Sequence, residues 1–383
     1  MGTSQSLYKS LLPLSYFSTC LGLPNFKKNK SVLTYKLQLL LSVVLIIENI
    51  LGYILGFFSR LHKSEFQERS VIRRIIFESY SIGNCISSVA ALTIISTRMR
   101  KFLPLILEKL SYIDNSILDI HRKRSIYLKL KTCVCVTIFF TVVIFVYFRI
   151  YDSMFWVTSF TPSEVMPLFS MLTPDFACVQ FITLILLIRQ RFKFVVEVLE
   201  GLCVGKRLFL CEINTLISAE LYRTHIRKLR FWYNDLFEMS QVIMNCYGFY
   251  VLAELCVTTE KIIFSMFYII RVINTISSGN SPILWSNFAE LILLFSVYLL
   301  KIAGISYACH VTSSEAKNVL SMVHKLMLKT NSQQVLVELQ MFRDQIRVQE
   351  VIFKPYGILT LNLHLFHSIL ATSVTYLVII FQF

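Results

Sequence analysis

The sequence predicts an all-α, polytopic membrane protein with seven transmembrane helices and cytosolic helical extensions. Of its 383 residues, 55% are hydrophobic and only 16% are charged, whereas a soluble domain carries about 25% charged residues. The apolar residues form blocks of roughly 20, the length that crosses a hydrocarbon core about 30 Å thick. Because each block must satisfy its own backbone hydrogen bonds in lipid, the blocks are predicted to be helices.

Seven apolar blocks are candidate spans. The four strongest are Leu37–Phe58, Thr132–Phe148, Ile283–Leu300 and Tyr356–Phe383. The three weaker ones are Ser79–Thr97, Val165–Ile188 and Met239–Ile270. The spans divide the chain into six segments: a cytosolic tail (1–34), spans one to four with the ligand-sensing part (35–189), cytosolic extensions (190–240), spans five and six (241–308), cytosolic anchor helices (309–355) and a pore-lining seventh span (356–383).

The basic residues predict the orientation. The segments on one side of the spans carry 28 Lys and Arg, and those on the other side carry 7. Basic residues mark the cytoplasmic side, so the N-terminus is predicted to be cytoplasmic and the C-terminus extracellular. A G-protein-coupled receptor has the opposite orientation. The net charge of +15 therefore indicates contact with anionic membrane lipid, and no nucleic-acid partner is needed to explain it.

The cytosolic segments are helical rather than low-complexity linkers. Apolar residues recur at helical spacing between Arg189 and Met239, and again between Glu315 and Val351. Helices with apolar stripes outside the membrane must bury them, either within the subunit or against another copy.

The side chains that carry chemistry in enzymes are not arranged for it here. The ten cysteines show no zinc spacing, and His364 and His367 lack a nearby third ligand. We find neither a phosphate-binding glycine loop nor a nucleophile elbow. The sequence therefore predicts no metal site, no cofactor and no enzymatic activity. A transporter is disfavoured because no paired ionisable relay and no matching pair of broken helices is visible.

Charged and aromatic residues inside the spans indicate a ligand site. The charged ones at or near membrane depth are Glu48, Asp175, Glu254, Glu260, Lys261 and Glu290. Such groups face a cavity or pair between helices, and the sequence leaves both interpretations open. A pocket bounded by spans two to six is predicted to use Tyr80, Asn84, Tyr147, Tyr151, Gln180, Glu260, Phe264 and Trp285.

The last span carries a line of polar residues. Ser368, Thr372, Thr375 and Gln382, with the apolar Ile379 among them, follow one another at steps of four and three, which places all five on one face of a helix. That face suits either a narrow aqueous pathway or a helix–helix seam joined by hydroxyl groups.

The same span carries a family resemblance. Thr375-Tyr376, five hydrophobic residues and then Gln382-Phe383 resemble the C-terminal signature of insect gustatory receptors. Further positions are similar to that family along the chain: Phe342, Gln345 and Tyr356-Gly357; Leu236, Asn245 and Gly248; Pro13 and Gly22-Leu23-Pro24.

The resemblance implies a tetrameric, ligand-gated, non-selective cation channel in the plasma membrane of gustatory neurons. The seventh span would line a central pore, with Gln382 and Phe383 at the gate and Ile379 one turn below. A homotetramer or a heteromer with sister receptors would open when a small tastant binds. Sugar-tuned members carry Glu where this chain has Leu377, so a bitter or aversive ligand is expected. A related internal chemosensor remains the alternative.

Overall fold

Ten helices make up the part of the chain that the structure describes. The computed structural model describes residues 4–24, 32–61, 82–117, 120–156, 167–203, 215–278 and 282–382. The helices are α1 (Ser4–Ser10), α2 (Leu12–Cys20), α3 (Val32–Leu61), α4 (82–117), α5 (Ile120–Trp156), α6 (Pro167–Cys203), α7 (Thr215–Ser278), α8 (Pro282–Lys329), α9 (Gln333–Val348) and α10 (Leu363–Gln382). These ranges contain no strand, and the predicted all-helical architecture is confirmed.

Five of the helices are long and apolar enough to cross a membrane, namely α3, α4, α5, α6 and α8. The apolar part of α10 is shorter, Leu363–Ile379. Helix α7 runs for 64 residues, about 96 Å at the usual rise of 1.5 Å per residue. It joins the predicted fifth span to the cytosolic extension before it, just as α8 joins the sixth span to the extension after it.

Helix α4 changes its hydrogen-bonding pattern midway. Residues 82–90 are α-helical, Ala91–Met99 form a π-helix, and Arg100–Ile117 return to α-helix. The π-helical turns widen the backbone where α4 packs against α3 and α7.

The N-terminal helices α1 and α2 pack inside the bundle. Leu7, Leu11 and Leu14 are fully buried, and these helices contact α4, α5 and α6. The sequence predicted a cytosolic tail over residues 1–34, and within it Gly22 packs against side chains of two predicted spans. A Cβ on Gly22, whose φ is +70°, would lie 3.2 Å from atoms of Leu45 and Leu92.

Hydrogen bonds fix this N-terminal segment in place. The Gly22 carbonyl accepts from the Ser42 hydroxyl at 2.7 Å and from Arg100 Nη2 at 3.0 Å. Two residues later, the Pro24 carbonyl accepts from Gln180 Nε2 at 3.0 Å. The segment therefore ties α3, α4 and α6 together.

The last helix begins later than the predicted span. The predicted start, Tyr356, has a φ of 49°, and Gly357 has a φ of 74°. Because left-handed residues cannot continue a right-handed helix, only a 3-10 turn forms at Pro355–Gly357. Helix α10 starts at Leu363, and the Asn362 side chain accepts a hydrogen bond from the Leu365 amide at 3.0 Å, as an N-cap does.

Candidate pore helix and ligand groove

Helix α10 has a packed face and an exposed face. Ser373 and Leu377 are buried against the bundle, in which α10 contacts α7 and α8. The predicted polar line lies on the other side: Ser368, Thr372 and Thr375 are exposed, and Ile379 is 43% exposed. A single subunit therefore presents the hydroxyl face outward. The side chain of Gln382 and the whole of Phe383 lie outside the described residues.

Within the subunit, the exposed hydroxyls bond to their own helix. Ser368 donates to the His364 carbonyl at 3.0 Å, Thr372 to Ser368 at 2.8 Å, and Thr375 to Ala371 at 3.0 Å. Their remaining lone pairs point away from the helix, so this face can meet water without leaving buried polar groups unpaired.

Leu377 lies opposite the hydroxyl face. It is 7% exposed, so the side chain directly after Thr375-Tyr376 points into the subunit. Its side chain is therefore part of helix packing and not of the exposed hydroxyl face.

The connection that precedes α10 joins it to the helices predicted to be cytosolic. The Tyr233 hydroxyl donates to the Gln349 carbonyl at 2.9 Å, and the Gln349 side chain donates to Asn234 at 2.8 Å. Burial raises the pKa of Tyr233, with a further contribution from Glu350, so the phenol stays protonated and keeps donating. The Tyr233 ring also packs edge-on against Phe192 and Phe342.

Helix α7 passes close to this connection. A Cβ on Gly248 would lie 3.5 Å from Pro355 and from the Tyr356 ring. Leu236 and Phe342 are fully buried in the same core. Several positions that resemble the gustatory family therefore meet where α7, α9 and the start of the last span come together.

An apolar groove of about 540 Å³ lies between α7 and α10. Its walls include Cys256, Glu260 and Phe264 from α7, and Leu365, Ile369 and Tyr376 from α10. Glu260 is the single charged side chain among the described residues that line it. No ion pair joins Glu260 to any residue that the structure describes, and the neighbouring Lys261 lies over the Tyr298 ring, 5.4 Å from its centroid.

A charged triad joins three helices of the bundle. Lys301 Nζ lies 2.5 Å from Asp175 Oδ1 and 2.6 Å from Glu254 Oε1, joining α8 to α6 and α7. The Ser87 hydroxyl of α4 also donates to Glu254. The Glu254 side chain is 1% exposed, whereas Asp175 is 43% exposed, so the triad runs from an accessible carboxylate to a fully buried one.

The triad answers part of the question that the sequence left open. Asp175 and Glu254 pair between helices through Lys301. Lys301 was missed because it follows Leu300, the last residue of the predicted sixth span. Helix α8 continues without a break to Lys329, and that continuity would have placed Lys301 inside the helix.

The predicted ligand residues lie in different places. Glu260 and Phe264 line the groove. Asn84 is buried in α4, next to Gly83, where a Cβ would lie 3.6 Å from Glu260 Oε2. Gln180 is fully buried, and its amide is engaged twice, donating to Pro24 at 3.0 Å and accepting from the Tyr247 hydroxyl at 2.7 Å.

The other four predicted ligand residues have no described side chain. Tyr147 and Tyr151 belong to α5 and Trp285 to α8, while Tyr80 lies outside the described residues.

Solved structures share this fold. The olfactory receptor OR5 from the insect Machilis hrabei matches with a TM-score of 0.70 at 12% identity, covering 99% of each chain. The same receptor in complex with eugenol matches with a TM-score of 0.71 at 12% identity, again over 99% of each chain. No curated protein matches.

A family profile identifies the chain at the level of sequence. The profile described as 7tm Chemosensory receptor matches residues 11–383. This range includes α2 to α10 and every residue that lines the groove. The profile's insect members are ligand-gated cation channels rather than enzymes. The match extends from the buried N-terminal segment to the polar line of α10, and the chain therefore belongs to the 7tm chemosensory receptor family.

Proposed function

We propose that this chain is a gustatory receptor, a non-selective cation channel of the plasma membrane that opens when a small-molecule tastant binds. Four subunits surround one pore lined by α10, either as a homotetramer or as a heteromer with sister receptors. The exposed hydroxyl face of α10 is the observation that carries this proposal. A helix face in lipid gains nothing from Ser368, Thr372 and Thr375, whereas a pore wall can use their hydroxyl groups to contact water and ions.

The tastant is proposed to be bitter or otherwise aversive. Leu377 supports this, because it is apolar and packs inward where sugar-tuned members carry Glu. The related OR5 was solved with eugenol, a small aromatic molecule. The aromatic residues predicted for the outer halves of the spans would suit ligands of similar size, since stacking and cation–π contacts are worth about 0.5–2 kcal/mol each.

The gate is proposed to be an apolar ring made by Ile379 and Phe383 from each subunit. Rings of this kind stop ions by excluding water. Ile379→Ser and Phe383→Ala should therefore raise the current measured without ligand in cells that express the receptor. Val374→Ser is the matched control, because Val374 is equally exposed, at 48%, but lies on a different side of α10.

Surface expression of each variant has to equal that of the wild type for this comparison to count. If both gate variants stay silent at rest and respond to ligand like the wild type, α10 is a packing helix and the pore lies elsewhere.

A further inference from the structure

We propose that the groove between α7 and α10 binds amphiphilic organic cations, with Glu260 as the counter-ion of the ammonium group. The groove lies between spans five and seven, and two of its residues, Glu260 and Phe264, also belong to the tastant pocket predicted between spans two and six. Binding of a cation here does not depend on the proposed channel activity.

The Glu260 carboxylate lies at the depth of the predicted fifth span. A charged group at membrane depth is costly unless it is paired or faces a cavity that supplies a partner. Glu254 and Asp175 meet this need through Lys301. Glu260 has no such cation among the described residues, and it lines the groove wall. The groove is therefore complementary to a positive charge.

The rest of the groove defines the other half of the ligand. The Thr259 hydroxyl on its wall already donates to the Leu255 carbonyl at 2.7 Å, so it adds little polarity. Leu365, Ile369 and Phe264 supply an apolar and aromatic wall. The stretch from Leu365 to Tyr376 covers about 16 Å of helix. A volume of about 540 Å³ lies within the range of sites for small organic molecules.

Helix α4 packs close to Glu260. A Cβ on Gly83 would lie 3.0 Å from Val257 Cγ2 and 3.6 Å from Glu260 Oε2. Glycine at this position lets the α4 backbone approach the turn of α7 that carries the carboxylate. An occupant of the groove would touch both α7 and α10, so it would bear directly on the proposed pore helix.

Alkylation of Cys256 would report whether the groove is occupied, without any measurement of channel current. Cys256 is exposed, unpaired and part of the groove wall, whereas Cys133 and Cys135 are exposed on α5, away from the groove. The full-length receptor in lipid nanodiscs would be alkylated with N-ethylmaleimide, and each cysteine followed by mass spectrometry. The probes are 8-phenyloctylamine, a cation at neutral pH, and its neutral counterpart 8-phenyloctanol.

The amine should slow alkylation of Cys256 and leave Cys133 and Cys135 unaffected. In Glu260→Gln, the amine concentration that gives half-protection should rise about tenfold, the loss expected for one charge-assisted contact. Protection by the alcohol should not change. Glu290→Gln, which removes a carboxylate from α8 outside the groove, should behave like the wild type. Ile369→Trp should shield Cys256 without any amine, because the indole fills the groove.

Two results would overturn the proposal. Equal protection by the amine and the alcohol, in both the wild type and Glu260→Gln, would mean that the groove binds apolar chains such as lipid tails and does not recognise the ammonium group. A Cys256 that fails to react in the absence of any probe would mean that lipid or another copy of the chain already fills the groove. Ligand-evoked currents, recorded separately, would still test the receptor function.

Discussion

At the scale of single residues, the buried triad is where the fold depends most on charge. Lys301 neutralises two carboxylates at once, and Glu254 is shielded from solvent almost completely. Burying a lone charge costs several kcal/mol, and the ion pair repays that cost only while all its members are present. The triad is therefore a point at which one substitution can destabilise four helices, since Ser87 brings in α4 as well.

Lys301→Met should lower the free energy of unfolding by about 3–5 kcal/mol, because it leaves two carboxylates facing each other without their cation. Thermal unfolding in detergent would show this as a large fall in Tm. Adding Glu254→Gln to the same chain should recover part of the loss. The control is Lys317→Met, which breaks an exposed pair with Glu350 at 3.0 Å and should cost at most about 1 kcal/mol. Equal effects of the two lysine substitutions would mean that the triad contributes nothing special.

At the scale of elements, the N-terminal segment behaves as part of the core. Leu23 is fully buried, and the carbonyls of Gly22 and Pro24 accept hydrogen bonds from three neighbouring helices. The tight approach at Gly22 depends on the missing side chain and on a positive φ. Docking of this segment should therefore be sensitive to one added methyl group.

Gly22→Ala should destabilise the receptor by about 1–2 kcal/mol, the cost of a left-handed alanine, before any contact with Leu45 and Leu92 is counted. Gly201→Ala is a matched control, because a Cβ there meets no atom within 4 Å and helical alanine is favoured over glycine by about 1 kcal/mol. Thermal unfolding of the two variants should move in opposite directions. A neutral Gly22→Ala would contradict the proposed tight docking.

Hydropathy predicted the helices well because lipid imposes the same length and backbone constraints on every span. Contacts between helices were harder to foresee. Glu260 could be placed at membrane depth from its position in the fifth span, but the groove beside it exists only because α7 and α10 are neighbours. Likewise, nothing in the composition of residues 1–34 distinguishes a segment that lies on a bilayer from one that packs between helices, since both need apolar residues.

At the scale of the whole molecule, the predicted orientation of the chain in the membrane rests on the distribution of basic residues. The excess of Lys and Arg on one side predicts that the N-terminus is cytoplasmic. An epitope tag before Met1 should be stained only after cells are permeabilised, and a tag after Phe383 should be stained on intact cells. Surface staining of an N-terminal tag on intact cells would reverse the orientation and bring back the G-protein-coupled alternative.

The cytosolic helices also leave apolar side chains exposed on a single subunit. Leu328 is 88% exposed and Met341 is 50% exposed, although neither lies in a predicted span. Val337 and Met341 are four residues apart on α9 and line the same surface depression, together with Arg227 and the buried Glu338. Apolar side chains at this spacing outside a membrane are expected to be covered by a second copy.

The double substitution Val337→Glu and Met341→Glu should therefore weaken the fourfold assembly proposed for the receptor. Each glutamate would have to be desolvated at the contact between copies, and the nearby Arg227 and Arg230 already pair with Glu338. Counting bleaching steps of single fluorescent complexes in membranes should shift from four towards one or two. Gln340→Glu is the control, since it adds one of the two negative charges to the same helix at an exposed polar position. If the double variant still assembles as a tetramer, the subunits must be held together through the spans, and α9 would then face solvent in the intact channel.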